Sequence, residues 1–167
     1  VVEDTCVHCH MAEPTEAGYG IVTPPLVGSH TFAMRDTMGT PGDTSDDVTN
    51  VENACASCHL GLDTLNYPSG GDYDGDGTVE GVQSEVRGLL ALLEPGLLAV
   101  EGTSLGDDGT IGIGEDDFDN LTDGQKRARY NYNYVVDDGS YGVHNTSYAV
   151  QLLQRSYFGV YGRSIVQ

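Results

Sequence analysis

Apolar residues recur at helical spacing along the second half of the chain and thin out between these stretches. Val79, Val82, Val86, Leu89, Leu90 and Leu93 keep to one face, which predicts a helix from Val79 to Leu93 with Thr78 as N-cap and Pro95-Gly96 as terminator. A further helix is expected from Thr122 to about Val136, burying Ala128, Tyr132 and Val135. Another should run from about Ser147 to Tyr157, with Ala149, Leu152 and Leu153 inward. A shorter one, capped by Asp47, is expected through Val48, Val51 and Ala54. Residues 94–120 lack the period and set Gly106, Gly109, Gly112 and Gly114 beside Asp107, Asp108, Glu115, Asp116, Asp117 and Asp119. They read as a long loop, either a second cation site or solvated charge. Little regular structure is expected over Gly18–Gly28, broken by Pro24-Pro25, or in the polar stretch 36–47. The tail Phe158–Gln167 is too apolar for an unpacked terminus. The fold expected is mainly α with long loops and little or no sheet, in a single domain over residues 1–167.

Composition changes this picture in one respect. Hydrophobic residues make up 38% of the chain and Trp is absent, a thin supply for a protein-only core of this length. Buried porphyrins would fill the gap with flat apolar surface, so the helices are expected to pack around them, Val79–Leu93 lying against one. Without them the chain should fold poorly. The charge is lopsided, with 26 acidic against 7 basic residues and a formal net charge of −19. Such a surface repels nucleic acid and anionic membranes and attracts divalent cations. No apolar run approaches the roughly 20 residues of a membrane span, so no membrane insertion is expected. No signal peptide is visible, and Val1 reads as a mature terminus after export. Asn120-Leu121-Thr122 and Asn145-Thr146-Ser147 fit glycosylation sequons, a match frequent by chance.

The candidate chemistry lies in two short motifs, Cys6-Val7-His8-Cys9-His10 and Cys55-Ala56-Ser57-Cys58-His59. Each reads C-x-x-C-H, the attachment signature of haem c. Cysteines one helical turn apart can both form thioethers to the vinyl groups, and the adjacent His points its imidazole at the iron. All four cysteines fall in these motifs, so none remains for a disulfide framework. The competing readings are a zinc site of thiolates and imidazoles, or a redox dithiol; a His after both pairs and the lack of any βαβ pattern weigh against them. Two covalently bound haems are therefore expected. Haem c is attached outside the cytoplasm, so the location expected is extracellular or the cell surface, with the periplasm as alternative.

His10 and His59 are proximal iron ligands by position. The distal candidates are His30 and His144, each separated from the motifs, with Met34 as runner-up for one iron and a raised potential there. His8 is held inside its own haem loop, from which it could reach only another haem or a neighbouring molecule's. Which distal His serves which haem stays open.

Asp72-Tyr73-Asp74-Gly75-Asp76-Gly77-Thr78 matches the front half of a calcium loop, with acidic side chains at positions 1, 3 and 5 and Gly at 6. Position 12 is Gln83, so Glu80 or Glu85 would have to supply the closing carboxylate. The expected Ca2+ ligands are Asp72, Asp74, Asp76, Thr78, Glu80 and Glu85; the alternative is a solvated acidic turn.

The segment Ala128–Asn145 runs from Tyr130-Asn131-Tyr132-Asn133-Tyr134 through Asp138-Gly139-Ser140-Tyr141-Gly142 to His144-Asn145, followed by Tyr148-Ala149 to Leu153. It resembles a pattern in multihaem c-type cytochromes, among them multihaem nitrite reductases, hydroxylamine-oxidising enzymes and extracellular cytochrome filament subunits. The resemblance covers roughly residues 48–158, including the acidic loop and the helix after it. It implies that His144 is a distal haem ligand. The chain departs from the enzymes in having two ordinary motifs and no special catalytic haem attachment. Electron transfer through two closely spaced bis-His haems is therefore expected, with no catalytic residues. The spare His8, the apolar tail and the resemblance point to self-association into a conductive extracellular filament, through contacts that do not close on themselves. The alternatives are a soluble periplasmic dihaem shuttle and a small haem reductase with one open iron site; in either carrier case the partners are redox proteins or other copies of the chain.

Overall fold

A computed structural model describes residues 4–14, 26–40, 45–55, 58–62 and 64–165. Most of the Pro/Gly-rich segment and part of the 36–47 stretch lie outside the described residues. The chain divides into two compact units, residues 1–65 and 66–167. Among the described residues it is mainly α, with two small two-stranded sheets.

The first unit contains helix α1 (Thr5–His10), a 3-10 turn at Ser29–Thr31, strands β1 (Arg35–Asp36) and β2 (Val48–Thr49), and helix α2 (Val51–Cys55). The strands pair antiparallel, Arg35 opposite Thr49 and Asp36 opposite Val48. The helix expected from Asp47 through Val48 is thereby corrected. The β-branched Val48 and Thr49 pair with β1, Asp47 forms an ion pair with Arg35, and the helix begins only after Asn50, whose carbonyl accepts Ala54 N–H at 3.0 Å. Asn50 is fully buried and joins three segments. Its Nδ2 donates to Ala12 O at 2.9 Å, its N–H to Met34 O at 3.0 Å, and its Oδ1 accepts from Asn53 at 3.0 Å. Gly28 passes so close that a Cβ would stand 2.3 Å from Ala12 O and 2.5 Å from Asn50 Nδ2. The apolar side chains buried among the described residues of this unit are Pro14, Val27, Val51 and Ala54. Val7, Phe32, Met38 and Leu60 are exposed, Leu60 to 96%.

The second unit is built on α3 (Val82–Leu98), α4 (Asp123–Asp138) and α5 (Thr146–Tyr161). Their inward faces meet in one cluster that includes Val86, Leu89, Leu93, Leu97, Ala128, Tyr132, Val135, Val150, Leu153 and Tyr157. The apolar stripe of α3 is thus core, as its spacing requires, but it packs on α4 and α5. Val150 is buried where Leu152 was expected inward; Leu152 is half-buried at the margin.

The start and end of α3 both differ from the sequence reading. Thr78 is not its N-cap and Val79 is 60% exposed. Asn66 takes the capping role from outside the helix, its Oδ1 accepting the N–H groups of Gln83 at 2.9 Å and Ser84 at 3.1 Å. At Gly81 a Cβ would lie 2.2 Å from that oxygen, so the chain turns helical only at Val82. At the other end Pro95-Gly96 does not terminate the helix. Pro95 cannot donate to Ala91, but Tyr161 donates its hydroxyl to Leu92 O at 3.0 Å in the interrupted turn, and buried Leu97 anchors the last residues. Gly96 allows the approach, since a Cβ there would be 2.6 Å from Tyr161 Oη.

Residues 94–120 also hold more order than expected. Strands β3 (Thr103–Leu105) and β4 (Ile111–Ile113) form an antiparallel hairpin, and a 3-10 helix follows at Glu115–Asn120. A side chain completes the sheet: Asn133 of α4 accepts Ile111 N–H at 2.8 Å and donates to Ile111 O at 3.0 Å. Helix α4 begins at a capping box, Thr122 Oγ1 accepting Gln125 N–H while Gln125 Oε1 accepts Thr122 N–H. It stops at Gly139, in the left-handed conformation at φ 66°. Helix α5 is capped by Asn145 and continues past the expected Tyr157 to Tyr161, so part of the apolar tail is helical, with Val160 and Ile165 against the core. Near the start of α4 the backbones of α4 and α5 touch, because a Cβ on Gly124 would be 2.2 Å from Gly159 O.

Candidate cofactor and cation sites

Cys6, Cys9 and His10 share the short helix α1, Cys6 exposed and the other two half-buried. His10 Nδ1 lies 2.8 Å from Phe32 O, and the two rings stack with centroids 4.9 Å apart. A carbonyl can only accept, so Nδ1 carries the proton and Nε2 becomes the lone-pair nitrogen, the tautomer that a metal ligand needs. Phe32 presents that carbonyl from φ 60°, a conformation bulky residues rarely adopt. In the second motif Cys55 closes α2, and the N–H groups of Cys58 and His59 turn back onto its carbonyl at 3.0 and 2.7 Å. Burial pushes the Cys55 thiol up, with Cys9 and Cys58 adding to the effect.

The arrangement differs from a closed zinc site. Tetrahedral Zn–S bonds of about 2.3 Å would hold the sulfurs roughly 3.8 Å apart. Among the described residues, the groups whose ligand atoms all lie within 4.8 Å of one another are carboxylates, with no Cys or His in them.

The remaining candidates are spread over both units. His8 and His59 are exposed, His30 sits in the 3-10 turn two residues before Phe32, and half-buried Met34 gives its carbonyl to Asn50 N–H. His144 lies in the second unit, on the link between α4 and α5. Its Nδ1 is 2.8 Å from Asp138 Oδ1, and its backbone N–H donates to Ser140 Oγ at 3.3 Å. Ser140 donates its hydroxyl to the other oxygen of Asp138. Burial alone would push Asp138 up, but the hydrogen bonds from Ser140 and His144 outweigh it and hold the carboxyl below its ordinary range. Because the serine bonds the carboxylate and not the imidazole, the trio is not a nucleophile with its base.

The acidic loop converges on Glu85, which is fully buried in the first turns of α3. Glu85 Oε2 accepts Tyr73 N–H at 2.7 Å and Oε1 accepts Glu80 N–H at 2.8 Å. Asp72 accepts Gly75 and Gly77 N–H, Asp74 accepts Asp76 N–H, and Asp76 accepts Thr78 N–H. Ligand oxygens of Asp72, Asp74 and Glu85 lie within 4.8 Å of one another, as do those of Asp74, Asp76 and Glu80. Burial pushes Asp74 up, with neighbouring carboxylates of Asp76, Glu85 and Asp72 adding to it. Gln83 turns away, donating to Ser140 O at 3.1 Å.

Sequence reasoning did not single out Asn50 or Asn66, and it gave Asp138 no role beyond its place in the pattern leading to His144. Asn50 precedes a helix and Asn66 an acidic loop, and nothing local marks the partners each finds far along the chain. Asp138 could have been found, since a carboxylate six residues before a candidate ligand is within reach once Gly139 turns the chain.

Compared with known proteins, the chain matches no family model, no curated protein and no solved structure.

Proposed function

We propose that the protein carries electrons through two covalently bound c-type haems. The reading is supported above all by the first unit, which holds both C-x-x-C-H motifs yet buries only Pro14, Val27, Val51 and Ala54 as apolar side chains among its described residues. Where the described residues bury so few apolar side chains, a staple adds stability, and four cysteines paired with histidines supply attachment points for one. Exposed Val7, Phe32 and Leu60 offer apolar surface for porphyrin to cover. In this reading Cys6, Cys9, Cys55 and Cys58 hold the haems as thioethers, and His10 and His59 bind the irons from one side. In the same reading His30 and His144 would supply the remaining iron ligands. The bound haems supply a reversible one-electron couple, at low potential when both axial ligands are His.

The residues do the rest. Phe32 O fixes the ring of His10, and Asn50 ties the end of α1 to α2 so that the motifs keep their spacing. Asp72, Asp74, Asp76, Glu80 and Glu85 take a Ca2+ ion, relieving repulsion among clustered carboxylates. The location proposed is outside the cytoplasm, at the cell surface. Among the described residues no helix is long and apolar enough to cross a membrane. Self-association into a filament is the form of this function that would carry charge beyond one molecule; exposed Phe158 is an apolar contact such an assembly could use.

The test is a haem count with a spectrum. Intact mass should show two haems per chain, and the reduced protein should be low-spin and barely changed by carbon monoxide. Fewer haems would refute the reading, whereas a rapid large Soret shift would replace it with a reductase holding an open iron.

A further inference from the structure

We infer that Asp138 is a positioning residue for haem iron: it fixes His144 as a strong axial ligand and lowers the potential of the haem that His144 binds. The inference rests on the proposed role of His144 and extends it. His144 is 54% exposed on its side chain, yet its ring is held by a 2.8 Å bond from Nδ1 to Asp138 Oδ1. That bond places the proton on Nδ1 and the lone pair on Nε2. Asp138 is itself held, since Ser140 donates to its second oxygen and also accepts His144 N–H. Gly139 at φ 66° and Tyr141 at φ 49° make the reversal that brings residue 144 back over residue 138. Such bracing steadies the α4–α5 link in any case, and a metal ligand gains orientation and basicity from it as well.

The partner on the other side of the comparison is His10, whose Nδ1 meets a neutral backbone carbonyl. A carboxylate draws the Nδ1 proton more strongly than a carbonyl does, leaving more electron density on Nε2. More density on the ligand favours the oxidised iron. The two axial histidines are therefore unequal by construction.

The experiment uses the full haem-loaded chain and four variants: His144→Ala, Asp138→Asn, Ser140→Ala and Asp137→Asn. His144→Ala should turn one haem high-spin; if both stay low-spin, the ligand role of His144 fails, and this inference with it. Given that ligation, Asp138→Asn should stay low-spin and raise the reduced-to-oxidised ratio of one haem about tenfold at fixed poise, a shift of about 59 mV for a one-electron couple. Ser140→Ala should move the same haem in the same direction by less, and it covers the case in which Asp138→Asn is poorly folded. Asp137→Asn removes the same charge from the neighbouring exposed position and should leave the ratio within about twofold. Equal shifts in Asp137→Asn and Asp138→Asn would assign the effect to bulk charge and overturn the role of Asp138. So would an unchanged potential in both Asp138→Asn and Ser140→Ala.

Discussion

Replacing Gly124 by Ala should destabilise the second unit, while the same change at Gly159, its partner across the helix crossing, should stabilise it. At Gly124 the new Cβ would stand 3.0 Å from Gly159 C and 2.2 Å from Gly159 O, the latter more than 1 Å inside the 3.4 Å of ordinary contact. The obstacle is backbone, so no rotamer change relieves it, and α4 and α5 must move apart. Overpacking of this kind costs about 1–3 kcal/mol, against a helix-propensity gain of at most about 1 kcal/mol. At Gly159 the Cβ would meet Gly124 Cα at 3.6 Å, which is ordinary contact, so the propensity gain of up to about 1 kcal/mol survives. A unit of about a hundred residues moves its melting temperature by roughly 4–8 °C per kcal/mol. Gly124→Ala should therefore melt about 5–10 °C lower and Gly159→Ala a few degrees higher, by far-ultraviolet circular dichroism of the helical signal. Shifts of the same sign, or a wild-type melt for Gly124→Ala, would refute the close backbone crossing. The far end of the same helix pair carries Asp138 and His144, so the haem spectrum should change little in Gly159→Ala.

Glu85→Gln should lower stability by about 2–4 kcal/mol, because it weakens charge-assisted bonds to Tyr73 and Glu80 N–H. In the wild type a chelator should lower the melting temperature, and Ca2+ should restore it; in Glu85→Gln that response should be lost. Tyr132 donates to Glu94 at 3.3 Å, and burial together with the Glu94 carboxylate raises its pKa from 10.0 to about 12. Since the folded value lies above the unfolded one, its stabilising contribution is full below about pH 10 and is lost as pH rises toward 12. Ultraviolet difference titration should show one late phenolate that Glu94→Gln brings earlier. Light scattering at high protein concentration should show Ca2+- and salt-dependent growth of long assemblies; persistent monomers with Ca2+ present would refute the filament.

The elements that were legible in the sequence carry their own local instructions. Thr122 with Gln125 makes a capping box within four residues, and Ala128, Tyr132 and Val135 keep one face, so α4 could be placed closely. What could not be read depends on partners far along the chain. Asn66 moves the start of α3, Tyr161 and Leu97 carry α3 past Pro95, and Asn133 turns Ile111 from loop into strand edge. The cysteine motifs and the acidic run declare their ligand types by spacing alone. Glu85 was named as a possible closing carboxylate, but its burial and backbone partners needed the fold. Asp138 is hidden for the same reason as Asn66: its significance depends on a reversal at Gly139 that brings His144 back to it.

The unequal cores of the two units bear on how the protein matures. Residues 66–167 enclose a continuous apolar cluster from helices that follow one another along the chain, an arrangement of mostly local contacts that favours fast folding. Residues 1–65 have no comparable nucleus among their described positions. On the haem reading, residues 66–167 would resist protease with or without haem, whereas the described part of residues 1–65 would gain resistance only on loading. Limited proteolysis would then tell loaded molecules from unloaded ones.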